Sequence, residues 1–224
     1  MEEICCKFNL VIDFDSTFIK TEALDELAKI ALEHDPNKEQ KAREIEAITN
    51  KGMLGEISFP ASLQSRLELF SVKQKHIDKL IVDIKENITK SFLDNKDFFK
   101  ENNKNLYVIS GGFLDYILPI VQDFGILPKN VLANKFIFEN DKVVGVDSEC
   151  FLAQDGGKTK AVEALKLKNI TVVGDGWTDY EIRRNGGAEK FIAFSENVSR
   201  QKVVDVADIE CFNFSEVIEN LKKK

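Results

Sequence analysis

Apolar and polar positions alternate along this chain in two different textures. Residues 8–13 (FNLVID) form a short, β-rich apolar run, the pattern of a strand buried on both faces. From Thr21 to about Asn102 the pattern is helical. TEALDELAKIALEH sets Leu24, Leu27, Ala28 and Ala31 on one face at amphipathic spacing. HDPNK is a break. EQKAREIEAITNKG predicts a second helix ending near Gly52, and FPASLQSRLELF a third with Pro60 near its start. KHIDKLIVDIKENI repeats the stripe with Ile77, Leu80, Ile81, Ile84 and Ile88. Strands then return. NLYVIS (105–110) predicts a strand, GGFLDYILPIVQDFG a helix, and VLANKFIFENDKVVGVD a hairpin turning at Asn140–Asp141. GGKTKAVEALKL predicts a helix, and ITVVGD (170–175) and KFIAF (190–194) two further strands. This alternation implies an α/β protein: a mostly parallel sheet with helices on both faces, and a helical block inserted between its first two units.

Composition narrows the function classes. A chain of 224 residues suits one domain with a large insertion, or two small ones, and 43% hydrophobic content suffices for a core. The net charge of −7 argues against nucleic acid or anionic membrane as partner, since both favour a basic face. No apolar run approaches the roughly 20 residues of a membrane span. The start, MEEICCKFNL, lacks the basic region, apolar stretch and cleavage site of a signal peptide, so a cytoplasmic location is expected. Cys5, Cys6, Cys150 and Cys211 contain no C-x-x-C spacing and read as buried thiols. His34 and His76 lie in charged helical stretches, where surface or helix-end roles outweigh catalysis. The closing KKK reads as a solvated end.

The chemistry is concentrated where three apolar runs stop. LVID leads into Asp13-Phe14-Asp15-Ser16-Thr17, LYVI into Ser110-Gly111-Gly112, and TVVG into Asp175-Gly176-Trp177-Thr178-Asp179. In open α/β sheets, ligands bind just outside the carboxyl ends of the strands. Four aspartates at one edge repel one another unless a cation joins them, and carboxylates plus waters suit Mg²⁺. Ser110 offers a hydroxyl, and Gly111 and Gly112 bring N–H groups close at what reads as a helix start. Lys158, in Gly156-Gly157-Lys158, adds a mobile positive charge at another helix start. Metal on one side and anion-binding donors on the other describe a phosphate-monoester site.

These motifs together resemble the haloacid dehalogenase superfamily of aspartate-nucleophile phosphatases, and within it the branch acting on phosphoserine. DFDST is similar to the DxDxT motif, SGG to the second motif, GGK to the lysine motif and GDGWTD to the fourth. ALDELAK, ISFPASLQSRL, VLANKF, GGKTK and NVSRQ extend the resemblance over nearly the whole chain. It implies a Rossmann-like core of residues 1–19 and 92–224, with a helical cap of residues 20–91 that closes over the site. Asp13 would attack phosphorus. Asp15 would protonate the leaving oxygen and later activate water, which requires a raised pKa. Mg²⁺ would be held by the Asp13 carboxylate, the Asp15 carbonyl and Asp175, with Asp179 supporting through water. Ser110, Gly111, Gly112 and Lys158 would hold the phosphoryl oxygens.

For the substrate, the resemblance implies Glu22 for an ammonium group and Arg66 for a carboxylate, with Met53, Phe59 and Thr178 lining the pocket. A small phosphomonoester, phosphoserine first, is the expected partner of a monomer or homodimer; another amino-alcohol phosphate, or phosphoryl transfer, is the alternative. Trp177 and Ser195-Glu196-Asn197 depart from the family pattern, the first in a loop that often carries a small residue, the second putting an acid near the site's edge. Only twelve residues precede Asp13, so no N-terminal regulatory domain is expected. Two rivals fit less well. Gly157-Lys158-Thr159 hints at a nucleotide-binding P-loop, but residue 152 is Leu where that motif has Gly. A non-catalytic receiver domain lacks a helical insertion of this size.

Overall fold

The computed structural model describes residues 8–222, so the expectations for Cys5, Cys6 and the last two lysines lie outside the described residues. Its strands are β1 (Asn9–Ile12), β2 (Leu106–Phe113), β3 (Val131–Asn134), β4 (Phe136–Glu139), β5 (Lys142–Val146), β6 (Ile170–Gly174), β7 (Lys190–Phe194) and β8 (Ile209–Cys211). Six form one parallel sheet in the order β3-β2-β1-β6-β7-β8, and β4 and β5 pair antiparallel beside it. β1 therefore lies between β2 and β6, and the three strands that end in chemical motifs are immediate neighbours. The helices are α1 (Ala23–Ala31), α2 (Lys38–Met53), α3 (Phe59–Leu67), α4 (Gln74–Glu86), α5 (Lys90–Asp94), α6 (Lys96–Glu101), α7 (Leu114–Val121), α8 (Gly157–Leu165), α9 (Trp177–Arg184), α10 (Gln201–Val204) and α11 (Phe214–Lys222). None of the described helices is long and apolar enough to cross a membrane.

Side-chain alternation explains why these runs carry so few polar residues. Leu10 and Ile12 face one core with Leu106 and Val108, while Val11 faces the other with Tyr107 and Ile109. A parallel strand covered by helices on both sides has no solvent face on which to alternate. The first core is rich in phenylalanine. Phe18, just before the helical block, makes an edge contact with Phe92, just after it, at 4.9 Å between ring centroids. Phe99, Phe124, Phe194 and Phe214 extend that cluster, and aromatic pairs of this kind contribute about 1 kcal/mol each beyond their buried area.

The two backbone segments that lead into and out of the helical block run together. Ile19 and Ile88 form an antiparallel bridge. The Lys20 N–H donates to Asn87 O at 2.8 Å, and the Thr89 N–H to Phe18 O at 3.0 Å. The Thr89 hydroxyl also donates to Thr17 O at 2.7 Å. α1 packs against α2 and α4, and α2 against α3. His76 accepts the Lys73 N–H at the start of α4, the helix-end role expected of it.

Two expectations are corrected. SGG does not open a helix: β2 continues through Phe113, and α7 begins only at Leu114. Glycine is as compatible with a strand end as with a helix start, and pairing with β3 decides the matter through a register shift between Ile109 and Phe113. VLAN is not the first arm of a hairpin either. It is β3, a parallel strand of the main sheet, and the hairpin is β4–β5 alone. Cys211 is buried, as expected, whereas Cys150 is only partly so.

Candidate active site

Asp13 directly follows β1, and its N–H still donates to Val173 O of β6 at 2.9 Å. The chain then makes a wide turn over residues 14–18, closed by the Ile19 N–H on Phe14 O at 3.0 Å. The Asp13 carboxylate accepts the Phe14 N–H at 2.7 Å, which fixes it at the mouth of the turn. Ser16 sits in the left-handed region, φ 51°, a strained conformation for a residue with a side chain. Neighbours on every side enforce it. Its hydroxyl donates to Glu22 at 2.7 Å, and its carbonyl accepts from Asn197 at 3.1 Å.

Asp175 follows β6, and Asp179 lies in the first turn of α9. With Asp13 they form a buried trio whose carboxylate oxygens lie within 4.8 Å of one another. Lys158, in the first turn of α8, reaches Asp13 and Asp179, each at 2.7 Å. Asp175 accepts the Thr17 hydroxyl at 3.1 Å and touches the guanidinium of Arg200. The Asp179 carboxyl is raised to about 7, by burial first and by Asp13 second, against the pull of Lys158. Burial lowers the Lys158 ammonium, but Asp13 and Asp179 outweigh that effect and its pKa rises. This oxygen-only set of three buried acids, only partly neutralised by two cations, fits a hard metal ion.

Asp15 is aimed elsewhere. Its carboxylate accepts the Ala23 N–H at 2.7 Å, at the start of α1. Burial, then Glu22 and Asp13, push its pKa well above the usual carboxylate range. At the end of β2, the Ser110 hydroxyl oxygen accepts the Gly112 N–H at 2.9 Å, which leaves its own proton to donate. Gly111 lies beneath the ring of Phe59. A β-carbon at Gly111 would come 2.5 Å from Phe59 Cζ, so only glycine lets the ring descend onto the strand end.

The remaining expected residues meet here as well. Asp13, Asp15, Glu22, Met53, Phe59, Arg66, Gly111, Gly112, Lys158 and Thr178 share the walls of one small cavity of 40 Å³. Ser110, Asp175 and Asp179 flank it through the contacts already described. Arg66 is 6% exposed. Its Nε donates to Ser62 O at 3.3 Å, and Nη1 lies 3.2 Å from Thr49 Oγ1 and 3.5 Å from Asp25 Oδ1. Glu22 is raised by burial, opposed by Arg200 and by its bond from Ser16. A larger cavity of 330 Å³ lies just outside, sharing Gly52, Phe59, Gly111, Lys158 and Thr178 with the inner one and walled by Trp177.

Some contributors escaped the sequence reading. Arg200 bridges Glu22, at 3.6 Å, and Asp175. Its segment, NVSRQ, was part of the resemblance, but no local pattern announces a partner 178 positions away. Asn197 donates to Ser16 O and to the Thr89 hydroxyl, tying the catalytic turn to the exit of the helical block. The Glu196 carboxylate is engaged by the segment that leaves the helical block. It accepts the Ser91 N–H at 3.2 Å and the Ser91 hydroxyl, so this acid pins the chain beside the Ile19–Ile88 bridge. Trp177 lies against Gly55, where a β-carbon would come 2.6 Å from its Cδ1. The Lys202 ammonium covers the indole at 4.9 Å and donates to Leu54 O at 2.6 Å.

Comparison with known proteins gives the chain its family. The model of the haloacid dehalogenase-like hydrolase family matches residues 10–184. The chain is 34% identical to phosphoserine phosphatase of Homo sapiens over 217 residues, covering 94% of this chain and 92% of the human protein. Among solved structures, a phosphoserine phosphohydrolase-like protein from Francisella tularensis superposes with a TM-score of 0.85 at 30% identity, over 95% of this chain and 99% of that one. A phospho-aspartyl intermediate analogue of phosphoserine phosphatase superposes at 0.79 with 25% identity, over 96% and 99% of the two chains.

Proposed function

Since the chain belongs to the haloacid dehalogenase-like hydrolases, we propose that it hydrolyses O-phosphoserine to serine and phosphate, with magnesium and with Asp13 as the transient carrier of the phosphoryl group. One observation carries the reading: the adjacent ends of β1 and β6, with the first turn of α9, bring Asp13, Asp175 and Asp179 within 4.8 Å of one another, with Lys158 at 2.7 Å from two of them. The relatives named for phosphoserine supply the substrate class.

In this reading a carboxylate oxygen of Asp13 attacks phosphorus, and the bond to the seryl oxygen breaks as Asp15 gives that oxygen its proton. Asp15, now ionised, takes a proton from water, whose oxygen attacks phosphorus and frees phosphate and Asp13. Lys158, the Ser110 hydroxyl and the N–H groups of Gly111 and Gly112 hold the phosphoryl oxygens, Gly112 by exchanging its bond to Ser110 for one to the anion. Mg²⁺ would be held by the Asp13 carboxylate, the Asp15 carbonyl and Asp175, with Asp179 acting through water. When bound, it neutralises the negative charge that otherwise keeps a carboxylate and a phosphate apart.

Glu22 takes the ammonium and Arg66 the carboxylate of the substrate, while Met53, Phe59 and Thr178 shape the space between. Room for about three waters is all that 40 Å³ offers, far less than a phosphorylated amino acid requires. We therefore read residues 20–91 as a cap that lifts to admit substrate and closes to exclude water.

Phosphate release from phosphoserine, phosphothreonine, phosphoethanolamine and glycerol phosphate, with and without a chelator, tests the proposal. Phosphoserine should lead by at least about tenfold in kcat/KM, and chelation should abolish release until Mg²⁺ is restored. A lead for another ester would replace the substrate, and full activity in chelator would remove the metal. Arg66→Ala should cost roughly 10²-fold in kcat/KM on phosphoserine but only a few-fold on p-nitrophenyl phosphate, which has no carboxylate to bind. Equal losses would mean that Arg66 does not read the carboxylate.

A further inference from the structure

We propose that Asp25 and Thr49 are positioning residues for substrate selection, holding Arg66 through Nη1 so that Nη2 is presented to a carboxylate. The inference rests on the reading of Arg66 given above and extends it to residues that act through Arg66.

The three side chains come from three helices, Asp25 from α1, Thr49 from α2 and Arg66 from α3, and all are buried. Burial pushes the Asp25 carboxyl up, while the Arg66 charge and the Thr49 hydroxyl oppose that and favour its ionised form. A guanidinium only donates and an ionised carboxylate only accepts, so the hydroxyl between them must do both. Thr49 donates to Asp25 Oδ1 at 2.7 Å and accepts from Arg66 Nη1 at 3.2 Å. The direct contact from Nη1 to Asp25 Oδ1 is long, 3.5 Å, at the limit of a hydrogen bond. The link between acid and base therefore runs chiefly through a neutral hydroxyl.

That arrangement has a consequence for affinity. A carboxylate gripping the guanidinium in a two-pronged pair would satisfy it and leave little attraction for a second carboxylate. Here Asp25 fixes the orientation through Thr49 while only partly neutralising the charge. Nε is committed to Ser62 O and Nη1 to Thr49, whereas Nη2 has no hydrogen-bond partner among the described residues. Arg66 and Thr49 both line the 40 Å³ cavity, alongside Glu22. Because α1, α2 and α3 each contribute one member, the triad also sets the spacing between Arg66 and Glu22, hence between the two charges an amino acid presents.

Thr49→Val keeps the shape and removes only the hydroxyl. KM for phosphoserine should rise about tenfold with kcat within about twofold, so that the ratio of kcat/KM for phosphoserine over phosphoethanolamine falls about tenfold. Thr49→Ser should restore that ratio, and Asp25→Asn should lower it in the same way. If both variants lose phosphoserine and phosphoethanolamine alike, or lose kcat at unchanged KM, the two residues serve the fold alone and the inference fails. If the unaltered enzyme itself does not prefer phosphoserine to phosphoethanolamine, the reading of Arg66 falls and takes this inference with it.

Discussion

Asp13→Asn should remove turnover on every phosphomonoester, by roughly 10⁴-fold or more, because the amide has no lone pair basic enough to attack phosphorus. The loss should not be one of folding. Asp13 is one of three buried acids within 4.8 Å of one another, and its replacement removes a like charge from that trio. Lys158 keeps Asp179 as its partner at 2.7 Å. The melting temperature should hold or rise, and the circular dichroism spectrum should match that of the unaltered chain. Mass spectrometry after rapid quenching should find a phosphorylated Asp13 in the unaltered protein and none in the variant. Turnover near the original rate would refute covalent catalysis by this residue.

Asp15→Asn should divide the reaction into its two halves. The residue is buried against Glu22 and Asp13, and burial with these two acids raises its pKa, which favours the protonated form that the departing seryl oxygen needs. Without that proton, phosphoserine turnover should fall by about 10²- to 10⁴-fold. p-Nitrophenyl phosphate has a leaving group that needs little protonation, so its first step should survive while attack by water, which needs the same carboxylate as base, should not. Stopped-flow absorbance should therefore show a burst of nitrophenolate equal to the enzyme concentration, followed by slow release. No burst, or equal losses on both esters, would remove Asp15 from the acid–base role. The pH dependence has a definite sign. Protonated Asp15 is the active form in the first step, so serine release in a single turnover should slow as pH rises through its pKa, and the variant should lack that dependence.

The catalytic end of the sheet was readable because strands buried on both faces advertise themselves as unbroken apolar runs. β1 and β6 begin and end within a residue or two of where FNLVID and ITVVGD place them. Each run stops at its motif, and topology then makes the three motifs adjacent. What failed to show in the sequence depended on distant partners. The two glycines after Ser110 suit either a strand or a helix start, and only the neighbouring β3 selects the strand. Arg200 looks like any surface cation until the fold brings it to Glu22 and Asp175. Glu196 reads as an acid near the site's edge, and only the fold shows that its carboxylate is spent on Ser91. Thr49 gives no sign at all, because a threonine within a helical stripe is ordinary until Asp25 and Arg66 close around it.

Trp177 is the single tryptophan of the chain. Its indole rests on Gly55 on the far side of the cavity mouth, with the Lys202 ammonium beside it. The protein thus carries a built-in optical reporter at the seam between helical block and sheet. Lifting the block would strip Gly55 from the ring and wet it, shifting ultraviolet emission to longer wavelength, so admission and sealing could be timed in unlabelled enzyme.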